Sequence, residues 1–467
     1  ATLKQDDLER LPALGDDAAR SIAWLPGIAA ADKSARLSIR GGGSDEALIV
    51  LDGLEIDEPF HLQDFLAFSS IVDARAIGRM DVLTGIFPAE YGDRTSGVID
   101  LSIAEPADTD ATRVGLSLIN ASVLSGGRLS DAGGSWLMSA RSWYPDAVLD
   151  IVDPGGEDIS PSYNDLLGKV QVQLPGGSLL SAHLLASRDD VDYQADLKDA
   201  RAEAGDDHLY TWINWKTPWT ARLYAQTLVS SSRAGRSRNG RILEAAGGVA
   251  QVVDARSYAS FGLKQDWIFT AGERSSLKWG FDARQLEAEY AYRSHVEQTD
   301  PLAAGGASAL SVIDRDLSLN PSGTELGAYV AGRFRVFSPL TFEVGVRRDR
   351  QTLTGEAETS PRVNLAWAPG DRSVLRAGWG RLHQPQGINE LQIEDGVLDF
   401  FPAQRAERWE VDFNHLFAGG LKLGVSAYVK SMTRLRPRYE NLFNPIQLFP
   451  EAEPDRVRIA PGRAVAR

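Results

Sequence analysis

The six histidines have the widest chemical range in this chain, because an imidazole can bind a metal ion or exchange a proton near neutral pH. They stand at positions 61, 183, 208, 295, 383 and 415. Their spacing matches no metal-ligand motif. The chain contains no cysteine, which removes thiolate nucleophiles, thiolate metal sites and disulfide frameworks. We therefore expect no metal site and no cofactor.

Catalytic motifs are also missing from the sequence. It contains no GxSxG, HExxH, GxxxxGKS or GxxxxGKT, and no GxGxxG follows a predicted strand. The sequence therefore predicts a protein that is not an enzyme.

The charge is acidic and unevenly distributed. The net charge is -15, and the first 110 residues carry 21 acidic against 9 basic side chains. Binding to nucleic acid requires a basic footprint, so we expect no nucleic-acid partner. An acidic N-terminal region is compatible with a cationic or metal-bearing ligand, but a solvated acidic face is the commoner explanation of such a charge.

A glycine-rich stretch, LTGIFPAEYGDRTSG at residues 83–97, organises the N-terminal region. Its glycines and Pro88 favour tight turns, and short apolar strands are predicted on either side of it, over 79–83 and 98–103. Upstream, QDDLERLP predicts a helical turn that ends at Pro12. GDDAARSIAWLPG predicts a second helix with Asp16 or Asp17 as its N-cap. These elements predict a small α+β domain.

Three motifs of this domain resemble the plug domain of TonB-dependent outer-membrane receptors. They are SIRGGGSDEALIVLDG, IGRMDVLTG and FPAEYGDRTSGVIDL, which occur in that order within residues 1–105. The alternative is an ordinary α+β domain, in which glycine turns between short strands are common. The resemblance implies a mainly β protein, with a small α+β plug (1–105) inside a large antiparallel transmembrane β-barrel (106–467).

The remainder of the chain alternates between apolar and polar residues with a period of two. In one run, Leu277, Trp279 and Phe281 alternate with Lys278 and Gly280. Such runs last roughly ten residues, the length of a transmembrane β-strand, whereas sandwich strands are mostly five or six residues long. No run approaches about 18 apolar residues, so no transmembrane helix is expected.

Connections between the predicted strands alternate between short turns and long loops, as in bacterial outer-membrane barrels. The predicted long loops are 188–207, 232–254, 295–323 and 383–405. Six aromatic residues near predicted strand ends are expected to form girdles at the membrane interfaces, although core packing could also explain each of them. They are Trp136, Trp143, Tyr210, Trp212, Trp215 and Trp219. Later motifs, such as SPRVNLAWAPGDRSVLRAGWGRLHQP, also resemble the family's barrel.

The pattern departs from the family in two places. About 14 strands are predicted, whereas barrels of the resembled family close with 22, so the chain looks C-terminally truncated and its barrel incomplete. The opening residues ATLKQ do not resemble a TonB box, the short segment with which family members engage their energy-coupling partner. The chain is expected to begin after processing or trimming.

The resemblance implies a receptor and transporter in the outer membrane of a Gram-negative bacterium, for active uptake of a scarce ligand. Siderophore-iron, a cofactor and an oligosaccharide are the ligand classes considered. Implied partners are the TonB energy-coupling complex, outer-membrane lipid and a small-molecule or chelate cargo. The alternatives are an outer-membrane sensor that does not import, and a soluble all-β binding protein.

The resemblance also suggests residue roles within the plug. Arg40, Glu90 and Arg94 are candidates for ion pairs between plug and barrel, or else ordinary surface charges. Contacts between the plug and a polar barrel interior are expected to be hydrated and hydrogen-bonded. Candidates for ligand binding at the plug apex are Phe60, His61, Phe87 and Tyr91, although a turn-forming role would explain His61 as well.

Overall fold

The computed structural model describes the chain except residues 11–16, 18, 31–33, 64–66, 68, 107–109, 130–132, 146–157, 196–199, 244–248, 300–309, 443–447 and 454. The N-terminal elements are short. They are β1 (Thr2–Lys4), α1 (Gln5–Arg10), β2 (Ile28–Ala30), β3 (Leu37–Ile39), β4 (Ala47–Leu51), β5 (Leu54–Glu55), β6 (Ile77–Leu83) and β7 (Gly97–Ile103). In place of the second predicted helix there is one 3-10 turn, Arg20–Ile22, and Asp17 Oδ1 accepts a hydrogen bond from its first backbone N–H at 2.8 Å.

Five of these strands form a small sheet in the order β1-β6-β7-β4-β5. Strands β4 and β7 are parallel, and the other pairs are antiparallel. A Cβ on Gly97 would lie 2.9 Å from the backbone oxygen of Leu83, so glycine permits the close approach of β7 to the end of β6. We call the described part of residues 1–103 the plug.

The second part of the chain forms a large antiparallel sheet of 17 strands among the described residues, which we call the wall. Its first strands are β8 (Ala111–Leu116), β9 (Asn120–Leu129), β10 (Gly134–Trp143), β11 (Asp158–Leu174), β12 (Ser178–Ala195), β13 (Ala200–Pro218), β14 (Leu223–Leu243), β15 (Val249–Gly272) and β16 (Ser275–Thr299). The others are β17 (Leu310–Leu319), β18 (Ser322–Phe337), β19 (Leu340–Gln351), β20 (Ala357–Gly370), β21 (Ser373–Gln384), β22 (Gln404–Leu416), β23 (Lys422–Thr433) and β26 (Arg463–Ala466). A separate hairpin, β24 (Arg438–Asn441) and β25 (Arg456–Ile459), lies between β23 and β26.

The wall curves around the plug but is not a continuously bonded barrel. At one margin of the sheet β26 pairs with β23, and at the other margin β8 pairs with β9. The strand order places β26 next to β8, but no backbone pairing joins these two strands among the described residues. The sheet is therefore not closed, as expected for the incomplete barrel.

The alternation of the wall strands separates an apolar outer face from a polar inner face. Apolar side chains at least one-third exposed on the outer face include Val170, Leu209, Ile213, Val229, Phe261, Leu263, Leu277, Val330, Val344, Val411, Val425 and Val429. Neighbours in sequence such as Lys169, Arg347 and Arg408 are buried on the inner face. An apolar surface of this extent is suited to lipid. No helix in the described residues is long and apolar enough to cross a bilayer.

Three of the predicted long loops are mostly strand. Strands β12 to β18 continue through much of 188–207, 232–254 and 295–323, whereas residues 385–403 do form a long loop between β21 and β22. In the extended hairpins polar residues occur on both faces, so the apolar alternation used to predict strands stops although backbone pairing continues.

The girdle prediction needs correction for three aromatic residues. Tyr210 and Trp212 point inward and are 3% and 2% exposed, and Trp143 stacks on Tyr163 at 5.3 Å between ring centroids. Trp215 and Trp219 are exposed beside a short turn, as expected of a girdle. A period of two gives the alternation of faces, but it does not say which face meets lipid when the interior is also aromatic.

Candidate functional site

The main apolar core of the boundary between plug and wall lies along β10–β14, where buried ion pairs also cross the boundary. The main core of the plug continues onto the inner face of β10–β14. The wall side chains in this core are Leu137, Leu167, Leu185, Tyr210, Trp212 and Leu228, all 6% exposed or less. Each contributes about 1.5–3 kcal/mol by burial. The expectation that hydrated contacts form the whole boundary is therefore wrong on this side, because buried apolar side chains join the plug to the wall.

The other side of the boundary, along β19–β23, combines hydrogen bonds with a smaller apolar core, in which Phe87 of the plug packs with Leu382 and Met432 of the wall. Arg40 in the plug donates from Nη1 to Glu410 Oε2 at 2.9 Å and from Nη2 to Asp412 Oδ1 at 3.1 Å. Glu410 Oε1 also accepts from the backbone N–H of Ile86 at 2.7 Å. A Cβ at Gly85 would collide with that carboxylate, so this glycine of the motif permits the approach.

Three buried wall arginines hold the plug loop of residues 84–96 by its backbone oxygens. Arg408 donates to Ser96 at 2.7 Å and to Thr84. Arg362 donates to Phe87 at 3.1 Å and to Pro88, and its guanidinium lies 4.7 Å above the Phe87 ring. Arg347 donates to Glu90 at 3.4 Å.

Sequence reasoning missed these three arginines. The sequence shows only that these arginines lie at inward-facing positions of alternating strands. Many side chains share such positions, so the alternation does not identify the arginines that reach the plug.

Glu90 and Arg94, the other candidates for plug-to-barrel pairs, have different surroundings. Glu90 forms an ion pair with Lys278 of the wall. Arg94 donates from Nη1 to the backbone oxygen of Asp93 at 2.8 Å, and within the described residues it makes no ion pair with the wall. Arg40 and Glu90 thus contact the wall directly, whereas Arg94 donates its hydrogen bond to the neighbouring residue of the plug.

The four candidates for ligand binding do not form an open surface together. Phe60, His61 and Phe87 are 8%, 0% and 1% exposed, because each packs in a core or against the wall. Tyr91 is half-buried, and its hydroxyl donates to Asp100 at 2.8 Å. The apical surface predicted from their aromatic character is therefore not present in this conformation.

His61 instead lies between two wall carboxylates. Its Nδ1 is 2.6 Å from Asp189 Oδ1 and its Nε2 is 3.2 Å from Asp165 Oδ2, while Tyr163 stacks on the ring at 3.8 Å. The backbone N–H of Leu62 donates to Asp189 Oδ2 at 2.6 Å. Burial alone would lower the pKa of His61, but the two carboxylates raise it above its usual value. His61 thus joins the plug to Asp165 and Asp189 of the wall, and we call this contact the His61 latch.

The His61 latch should weaken as pH rises. Its pKa is raised in the folded state, so its stabilisation is complete below the unfolded-state pKa of about 6.5 and is lost as pH rises through the folded-state pKa. Hydrogen exchange of a peptide covering Phe60–Leu62, corrected for intrinsic rates, should show protection that falls from about pH 6 to about pH 9. The His61→Asn protein should lack this dependence. Protection that rises with pH, or equal profiles for the two proteins, would contradict the latch.

A cavity of about 820 Å³ adjoins the β19–β23 side of the boundary, near the short turns of β18–β23. The plug contributes Arg40 and residues 82–88 to its lining, and the wall contributes charged groups of both signs, such as Arg376 and Glu343. The loop of residues 84–96 therefore has hydrogen-bonded contacts on one side and open space beside it.

The opposite end of the plug is covered by two segments of the wall's own connections. The strap, residues 385–403, joins β21 to β22, and the flap is the described part of residues 434–462, which carries the β24–β25 hairpin. Asn389 of the strap donates to Glu58 of the plug at 2.6 Å. Among the described residues no group of three or more His, Asp or Glu side chains is arranged to hold a metal ion.

A plug enclosed by an antiparallel wall with an apolar exterior defines the class of plugged β-barrel receptors. Sequence-family comparison matches residues 1–99 to the TonB-dependent receptor plug domain and residues 141–436 to the TonB-dependent receptor-like β-barrel. The chain belongs to the TonB-dependent receptor family. This family consists of receptors and transporters, outer-membrane β-barrels of Gram-negative bacteria.

Solved structures share the fold at low sequence identity. A mutant of the ferric enterobactin receptor of Pseudomonas aeruginosa matches with a TM-score of 0.69 at 14% identity, over 94% of this chain and 72% of that one. The siderophore receptor PirA of Pseudomonas aeruginosa matches at 0.66 and 14%, over 100% and 80%. The iron transporter FrpB of Neisseria meningitidis matches at 0.65 and 14%, over 95% and 74%. No curated protein matches the chain in sequence.

Proposed function

We propose that this protein imports a scarce ligand across the outer membrane, with the TonB complex supplying the energy. The observation that carries the proposal is the difference between the two sides of the boundary. The main apolar core joins the plug to β10–β14, whereas along β19–β23 the loop of residues 84–96 is held by hydrogen bonds around a smaller apolar core and lies next to a cavity. Water can replace such hydrogen bonds at modest cost, so a path can open there while the main core stays buried.

Siderophore-bound iron is the first ligand to test, because several structural neighbours are described as siderophore receptors or iron transporters. A cofactor and an oligosaccharide are the other ligand classes. The exposed apolar outer face supports contact with outer-membrane lipid and argues against a soluble all-β binding protein. A sensor that binds without import is the second candidate, since its plug and wall would be built in the same way.

The test is accumulation of radiolabelled ferric siderophore by cells that express this chain and lack other receptors for it. Uptake should occur in cells with TonB and fall to the background of receptor-free cells when TonB is deleted. Binding to cells without TonB-dependent accumulation would favour the sensor. Recovery of the protein in the soluble fraction without detergent would contradict both membrane functions.

A further inference from the structure

The inner wall beneath the flap carries two buried arginines that share one carboxylate. Arg238 of β14 donates to Asp254 Oδ2 from Nη2 at 2.6 Å, and Arg256 of β15 donates to the two oxygens of Asp254 at 2.8 Å each. The arginines are 3% and 6% exposed. Two guanidinium groups beside one carboxylate leave the wall itself with a local charge of +1.

Tyrosine side chains from β15 and β16 complete this surface. Tyr258, Tyr290 and Tyr292 are all 9% exposed or less, and the Arg256 guanidinium lies 5.7 Å from the Tyr290 ring centroid. We call the surface formed by Arg238, Asp254, Arg256 and the three tyrosines the arginine patch. It combines bidentate donors for anionic oxygens with aromatic faces for a planar or apolar group.

Carboxylates of the strap and the flap occupy the arginine patch. Glu394 Oε2 of the strap accepts from Arg256 Nη2 at 2.7 Å. Glu451 of the flap accepts from Arg238 at 3.1 and 3.3 Å and from the Tyr292 hydroxyl at 3.2 Å. These two carboxylates face the positive charges of Arg238 and Arg256, so the protein's own chain supplies the anionic oxygens that the two arginines bind.

Main-chain oxygens and apolar side chains fill the rest of the patch. The Tyr290 hydroxyl donates to the backbone oxygen of Ile388 at 2.5 Å, and Arg238 Nη1 donates to that of Leu448 at 2.9 Å. Ile388, Leu391 and Ile393 of the strap and Phe449 of the flap pack in one core with the wall tyrosines. A substitute for these segments must therefore supply apolar surface as well as negative charge.

We propose that the arginine patch is a binding site for a ligand that carries at least two anionic oxygen groups on an apolar or aromatic body, and that Glu394 and Glu451 occupy this site until the ligand displaces them. The strap is rooted in β21 and β22, about half-way round the strand order from β15, and it crosses above the plug to reach the patch. A ligand that displaces it would uncover the surface around Glu58. The inference rests on the proposed function, because it names the ligand chemistry and the covered site.

The displacement is measurable with two spin labels, since the chain has no cysteine to interfere. Leu398→Cys labels the strap at a residue that is 45% exposed, and Glu289→Cys labels the outer face of β16. Distances between the labels are measured in phospholipid vesicles by double electron–electron resonance. The probe is trimesate (benzene-1,3,5-tricarboxylate), a metal-free aromatic tricarboxylate, with benzoate at matched ionic strength as its control, because benzoate has the same ring and one carboxylate. Trimesate should populate a longer distance and saturate, and benzoate should not.

Two further variants separate the patch from a general effect of salt. In the Glu394→Gln/Glu451→Gln protein the concentration of trimesate for half-displacement should fall at least about tenfold, because the charge-assisted hydrogen bonds from the two arginines to the strap and the flap are weakened. In the Arg238→Gln/Arg256→Gln protein the distances should no longer respond to trimesate. An equal response to benzoate, no response in the Glu variant, or an unchanged response in the Arg variant would overturn the proposal. If the patch behaves as expected but TonB-dependent accumulation is absent, the import function fails and the binding site stands.

Discussion

Replacing Arg347 by methionine is expected to lower the free energy of unfolding by about 3–5 kcal/mol. Arg347 is 2% exposed and pairs with Asp282 at 2.8 Å and with Asp349 at 2.6 Å, both on the inner wall. Without the guanidinium these two carboxylates face one another across a buried gap, and the backbone oxygen of Glu90 loses its donor. The cost arises from the charges that remain, since methionine fills much of the same space.

The matched control is Arg348→Met, the next residue of the same strand. Arg348 is exposed on the outer face, and its Nη1 donates to Thr359 at 3.1 Å. Its loss should change the stability by no more than about 0.5 kcal/mol. Urea unfolding in phospholipid vesicles, followed by tryptophan fluorescence, measures both variants. Similar losses for the two would show that Arg347 does not carry the pairing assigned to it.

Leu263→Arg is expected to cost about 2–4 kcal/mol in the same vesicles, because it places a charge on the lipid face near the middle of the bilayer. Leu263 is 38% exposed and lies nine residues before the end of β15 at Gly272. At about 2.4 Å of height per tilted residue, it is roughly 20 Å above that turn. Two tryptophans between Leu263 and the turn, Trp267 and Trp279, stack with 6.0 Å between their ring centroids. They mark the membrane–water interface on the turn side of Leu263.

Val253→Arg on the same strand is the control. Val253 is 54% exposed on the same face but ten residues nearer the long connections, which puts it above the hydrocarbon. Its cost should be about 0–1 kcal/mol. Equal costs at 253 and 263 would mean that the apolar face of β15 does not lie in the membrane as a band.

The fold was largely predictable, because both of its signals are local. Period-two alternation along 277–284 follows from pleating alone, and the turn chemistry of 83–97 is specified by its own glycines. The heights of the strands were not predictable in this way. Above the bilayer nothing selects apolar residues for one face of β15, so the sequence there resembles a loop although the backbone stays paired.

The interior was less predictable, because its contacts join residues far apart in the sequence. Arg238 meets Glu451, 213 residues later, and Arg40 meets Glu410, 370 residues later. The amino-acid composition does not show which of these distant charges form ion pairs with one another. The prediction that Trp212 lies at a lipid interface is wrong for the same reason, because the sequence of its own strand does not reveal the plug residues that bury it.

The strands of the wall differ in length, so the rim of the wall is higher on one side than on the other. Strands β15 and β16 have 24 and 25 residues, whereas β19, β21 and β23 have 12 each. With about 3.3 Å per residue and a tilt of about 45°, the rim stands roughly 55 Å high on one side and roughly 28 Å on the other. The rim is therefore much higher along β15 and β16 than along β19 to β23. On the lower side a solute that diffuses along the membrane surface meets the strap and the flap, whereas on the higher side it meets the strands themselves.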